Sequence, residues 1–237
     1  MSLLQLINQF NQECNFTESI QTSNFIESIE IKKNNTLNFN SFVECIFSNY
    51  DPIYQTIPNH EKNLYVKKLI MKLCSQIDEK SEQYYDNFKY NTKIMKKNII
   101  QTSFQLSLDK KNSISSLFYL NDYYKKHFVF IHKNNMYETC LKNYKKDYIL
   151  FDKNKFSFIS FNNSYHLEDL SKFPLTNDLK KGSIYKNYLG PLSKYKINEL
   201  KEIASNLNLS LTENGKSKTK QILYDEINLN QLNLINN

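Results

Sequence analysis

Apolar residues recur at helical spacing through the first half of the chain, and the spacing changes to alternation near His127. Leu3, Leu4, Leu6, Ile7 and Phe10 predict a short amphipathic helix, and Phe42, Val43, Ile46 and Phe47 predict a second. Leu64, Leu69, Ile70, Leu73 and Ile77 predict a longer third, with Pro52 and Pro58 punctuating the loop before it. Helical periodicity is read again from about Tyr84 to Ile100 and, after the polar DKKNS stretch, from Ile114 to Tyr124. Such stripes are what packed helices need, so they are assigned to a core and not to cofactor contacts.

From His127 the chain carries four short runs rich in aromatic and β-branched residues: HFVFIH, MYETCL, DYILFD and KFSFIS. Polar turns separate them, including Lys133-Asn134-Asn135 and Asp152-Lys153-Asn154-Lys155. Three or four strands in an antiparallel meander are expected, because the spacing suits hairpins and is too short for parallel crossovers. The fold class is therefore α+β, a helical N-terminal half packed on one face of a small sheet. Residues from Asn162 to Tyr195 are polar and irregular and hold two of the three glycines and two of the four prolines. The expected organisation is a main domain over 1–161, a linker over 162–194 with Gly190-Pro191 as its clearest boundary, and a helical module over 195–237.

Composition sharpens this picture in three ways. A chain of 237 residues can bury one main core and one satellite. Its four cysteines, Cys14, Cys45, Cys74 and Cys140, form no CxxC pair and lie near no matching His, which speaks against a zinc site or a disulfide framework. All 31 basic residues are lysine, Ala204 is the only alanine, and Asn, Ile, Tyr and Phe are abundant, a bias that resembles proteins of AT-rich large DNA viruses. With no apolar run long enough to span a bilayer, the protein is expected inside the cell, in host cytoplasm or nucleus or in a virion, with no membrane partner. The net charge of +7 is uneven, since residues 1–60 hold two lysines against six carboxylates. A basic surface is the footprint of a polyanion binder, and it is also the solubilising choice of an AT-rich genome.

The segment YKINELKEIASNLNLSLTENGKSKTKQILYDEI, Tyr195 to Ile227, reads as two short helices joined by a turn. Leu200, Ile203, Ala204 and Leu207 form one apolar face, with Asn198 as N-cap and Glu199 and Glu202 in the first turn. Leu209 and Leu211 close the turn, and Ile222, Leu223 and Ile227 line the second helix. In ELKEIASNLNL, in Gly215-Lys216 and in the basic start to a helix ending LYDEI, this segment resembles the SAP motif, a DNA-binding helix-extended loop-helix unit. The resemblance covers about one seventh of the chain, has a longer loop than usual, and carries Asp225 and Glu226 where a basic residue is common. It implies double-stranded DNA as partner, with little sequence specificity, and contacts at Gly215, Lys216, Ser217, Lys218 and Lys220. Exposed amides at a helix N-terminus beside lysines make a phosphate site on physical grounds as well. The competing reading is a helical hairpin that docks on protein.

Catalytic chemistry has little to stand on. Cys140 with His127, His132 or His166 could supply a thiolate and a base for a cysteine hydrolase, but no nucleophile motif surrounds it, and a small buried strand residue explains it equally. Asp147, Asp152, Glu168 and Asp169 show no paired-carboxylate spacing. Three scattered glycines exclude a phosphate-cradling loop. Tyr123-Tyr124-Lys125-Lys126 and Tyr144-Lys145-Lys146 could stack bases and hold phosphates, or simply end helices and strands. The expectation is a non-catalytic DNA-binding accessory protein with no cofactor and no metal; the alternatives are a scaffold protein and a cysteine hydrolase.

Overall fold

A computed structural model describes residues 1–13, 38–79, 84–159, 170, 172–179 and 184–234. Five helices precede the sheet: α1 Leu3–Glu13, α2 Phe42–Tyr50, α3 Asn59–Asp78, α4 Lys97–Leu108 and α5 Ile114–Tyr124. Then come β1 Lys126–His132, β2 Asn135–Tyr137, β3 Lys145–Asp152, β4 Lys155–Ile159 and β5 Leu175–Thr176. The chain ends in α6 Ile197–Asn206, a two-stranded hairpin of β6 Thr212–Glu213 and β7 Lys216–Ser217, and α7 Lys220–Leu234. The class is α+β as expected. Among the described residues, no helix is long and apolar enough to cross a membrane.

The sheet is mixed and not an antiparallel meander, with strand order β4-β3-β1-β2-β5. Strands β1 and β3 pair in parallel from Lys126↔Lys145 to Ile131↔Leu150. This needs no helical crossover, because the β1–β2 hairpin turns the chain back along β1 as far as Phe130, and residues 138–144 carry it the rest of the way to the start of β3. Asn121 on α5 pins the passage: its amide donates to the Thr139 carbonyl at 2.9 Å and its oxygen accepts from Phe128 N–H at 2.9 Å. The MYETCL run therefore gives only the short β2, and Cys140 lies in the connection and not in a strand. Both hairpin turns, Lys133-Asn134 and Lys153-Asn154, have positive φ at both residues, which matches the right-handed twist of the flanking strands.

Two further expectations change. Residues 84–95 form turns, with Lys89 left-handed, and the helix begins only at Lys97; Tyr85, Phe88, Tyr90 and Met95 are buried, but not as one helical stripe. The stretch expected to be a linker belongs, where described, to the body. Leu175–Thr176 extends the sheet beside β2, Ile184 and Tyr185 lie in the main core, and Tyr185 bridges to Tyr90.

The main core is dominated by aromatic rings. Phe10 of α1 sits 4.1 Å from Phe151 and 5.0 Å from Phe156 between ring centroids, and Phe42 of α2 meets Phe130 at 5.7 Å. Helix α5 is buried along most of its length, from Ser115 to Asp122, which places a carboxylate inside the body. A second, smaller cluster joins α6 to α7 through Leu189, Leu200, Ala204, Leu223, Tyr224 and Ile227. Farther along α7, Leu232 enters the main core, so one helix belongs to both clusters.

Candidate nucleic-acid interface and a polar cleft

The C-terminal module is built by short-range devices. Helix α6 starts at Ile197 because Glu199 reaches back to accept the Lys196 N–H at 2.6 Å, so Lys196 is the N-cap and Asn198 lies inside the helix. Of the two acidic residues placed in the first turn, only Glu199 is there. Asn214 and Gly215 form the β6–β7 turn with φ of 49° and 76°, the pair of left-handed conformations that Asn-Gly accepts readily. Thr219 caps α7 through its hydroxyl, which accepts from Ile222 N–H at 3.3 Å.

The five expected contact residues divide. Gly215, Lys216 and Ser217 are exposed on the hairpin, and Lys220, half-exposed, opens α7. Lys218 is different: its ammonium lies 2.7 Å from Glu226, and its side chain is only 9% exposed. Its backbone N–H also donates to Leu211, fastening the loop. Asp225 accepts from Gln221 at 2.8 Å and stays at the surface. From 190 onward the chain carries six lysines and five carboxylates, so the strong positive excess belongs to residues 61–189.

A second arrangement, not found from the sequence, lies in the body. Lys142 is buried with its ammonium 2.8 Å from the Asp122 carboxylate; both side chains are essentially unexposed. Tyr185 donates to the same carboxylate at 3.0 Å and Tyr144 at 3.3 Å. The ammonium also lies over the rings of Tyr185, Phe88 and Tyr144 at 4.7, 5.6 and 5.7 Å. Burial, and after it the Asp122 anion and its hydrogen bonds, hold the Tyr185 and Tyr144 hydroxyls above their ordinary range. No spacing announces this cage, because its members are 88, 122, 142, 144 and 185 and Lys142 sits in a lysine-rich run.

Beside it, a cleft of about 440 Å³ brings His127, Glu138 and Cys140 together. Among the described residues, no hydrogen bond joins the Cys140 thiol to His127, as a nucleophile and its base would need. The Cys140 thiol is pushed up to about 12 by burial and by Asp122, and its sulfur accepts from Lys142 N–H at 3.4 Å. His127 Nε2 is taken by Thr139 N–H at 3.2 Å, and burial pushes the imidazole down to about 4. His132 lies at the other end of β1, packed on Phe10 and Phe151, while His166 is outside the described residues. The two tyrosine-lysine runs are largely structural: Tyr124 packs on Tyr50, Lys126 pairs with Asp147 at 3.2 Å, and Tyr144 serves the cage. Among the described residues, no three His, Cys, Asp or Glu side chains group to hold a metal ion. Neither a family model, a curated protein nor a solved structure matches this chain.

Proposed function

We propose that this is a non-catalytic protein that holds double-stranded DNA by its backbone through the SAP-like C-terminal module. The observation that carries the reading is the exposed Asn214-Gly215 turn with Lys216 and Ser217 beside the Thr219-capped N-terminus of α7, where Lys220, like Lys216, has no ion-pair partner among the described residues. Lysines without arginine give point charges and no bidentate fork, which suits phosphate contact with little base reading. Such a protein would act where DNA is, in the cytoplasm or nucleus of a host cell or in a virion. The test is fluorescence anisotropy with an AT-rich duplex over a salt series. Binding that weakens with salt and responds to Lys216→Ala and Lys220→Ala supports the reading; a duplex affinity indifferent to both changes removes it.

One observation favours a second reading. The module's five carboxylates nearly balance its lysines, and Glu199, Glu202, Glu213 and Asp225 are all exposed, a mixed surface better suited to a protein partner than to a phosphate ladder. Absence of duplex binding by the parent protein would leave this reading in place.

A further inference from the structure

The polar cleft has two groups whose hydrogen-bonding sense is fixed by the fold. Because Thr139 N–H donates to His127 Nε2, that nitrogen carries no proton, and the neutral ring must carry its hydrogen on Nδ1. Among the described residues nothing accepts from Nδ1, although the residue is only 4% exposed. His127 lines the cleft, so a donor on its ring is offered to a molecule seated there. A donor in that position is an unmet hydrogen bond.

The second group is Glu138. Lys146 donates to one of its oxygens at 2.8 Å and Asn177 to the other at 2.6 Å, which fixes the carboxylate and leaves each oxygen able to accept again. Its side chain is 12% exposed, and Lys146 offsets its charge. Leu141 and, from α7, the exposed Leu229 supply apolar wall. A free phosphate or carboxylate would meet the Glu138 anion, and a simple cation would meet the His127 donor and Lys146. A ring with an acceptor beside a donor on one edge, and a flat apolar face, meets neither objection.

We propose that this cleft binds the edge of a nucleobase, with His127 Nδ1–H donating to a ring acceptor and Glu138 accepting from a neighbouring N–H. The base can come from a free nucleoside or from a nucleotide turned out of a DNA strand. The inference stands on the body alone and does not require the tail to hold duplex.

The test uses the full chain and the side-chain ¹⁵N–¹H signals of His127. The free protein should show the Nδ1–H tautomer. Adenosine or cytidine at millimolar concentration, or a duplex carrying one unpaired 2-aminopurine, should shift that signal saturably, while inorganic phosphate should not. A response to nucleosides alone identifies a small-molecule site, and a response to the unpaired base alone identifies a strand-derived base. Glu138→Gln, which keeps the shape, and the surface change Leu229→Ser should each weaken binding, the first by about tenfold, with the free protein still showing the Nδ1–H tautomer. The proposal falls if the free ring carries its proton on Nε2, if phosphate shifts it as strongly as the nucleosides, or if neither base source moves it. Lys216→Ala/Lys220→Ala should leave these shifts intact, so failure here and failure of the tail as a DNA site are separable.

Discussion

Lys218 should act on stability where Lys216 and Lys220 act on DNA. Its ammonium touches both oxygens of Glu226 at 2.7 and 2.8 Å, with 9% of the lysine side chain and 34% of the glutamate side chain exposed. Exposed pairs contribute about 0–1 kcal/mol, and breaking a fully buried pair costs about 3–5 kcal/mol. The abandoned glutamate here can partly rehydrate, so Lys218→Ala should cost about 1–2 kcal/mol, nearer the exposed limit than the buried one. Urea unfolding of Lys218→Ala, Glu226→Gln and the double variant would give the coupling as a cycle. In duplex titrations over a salt series, Lys216→Ala and Lys220→Ala should each lower the slope of log affinity against log salt by about one unit, whereas Lys218→Ala should leave it nearly unchanged. The triple alanine variant should therefore lose about two units and not three. If Lys218→Ala flattens the slope as much as Lys216→Ala and leaves stability intact, the ion pair does not hold in solution and the reasoning fails.

Three further outcomes follow from the body. Asp122→Ala would leave the Lys142 ammonium buried beside aromatic rings, and should cost about 3–5 kcal/mol by denaturant unfolding; a change below about 1 kcal/mol would show that the cage readily admits water. His127 is held neutral when folded, so as pH falls below 6.5 the unfolded chain takes up its proton first. Its contribution is fully present above 6.5 and lost towards about 4, a span equivalent to about 3 kcal/mol. Urea midpoints at pH 7 and 4.5 should differ more in the parent than in His127→Gln, and equal differences would refute the assignment. The Cys140 thiol, with its pKa near 12, should resist iodoacetamide at pH 8 in the native protein, and Cys140→Ser should not alter duplex binding. Rapid native alkylation at that residue would return the hydrolase reading to contention.

The helices were legible where one apolar stripe faces one core, as with Leu3, Leu6, Ile7 and Phe10, all buried on α1. The four β-rich runs were legible too, but period-two patterning specifies that a run is a strand and says nothing about which strand lies beside it, so the parallel β1–β3 pairing was hidden. Ile184 and Tyr185 fall in the stretch expected to be a linker, because burial by a distant element leaves no local period. At the tail, the Asn-Gly dipeptide was a hairpin signal present in the sequence and taken only as a turn. The ion pairs of Lys218 and Lys142 were hidden for one shared reason: lysine is rarely buried unless paired, and the partners Glu226 and Asp122 are set by tertiary contact.

Helix α7 has a mechanical consequence for whatever the tail grips. Its 15 residues make a rod about 22 Å long. Leu223 and Ile227 are bedded in the small cluster, Leu232 in the large one, and Asn233 accepts the Asn143 N–H at 2.8 Å beside the cleft. The hairpin is thus splinted to the sheet and not tethered to it. A load taken at Lys216 would be borne at Leu232 and at the cleft wall around Leu229, so an object held by the tail would keep a set orientation to the body. Cutting the chain at Gly190 would remove a bolt from the main core as well as the tail.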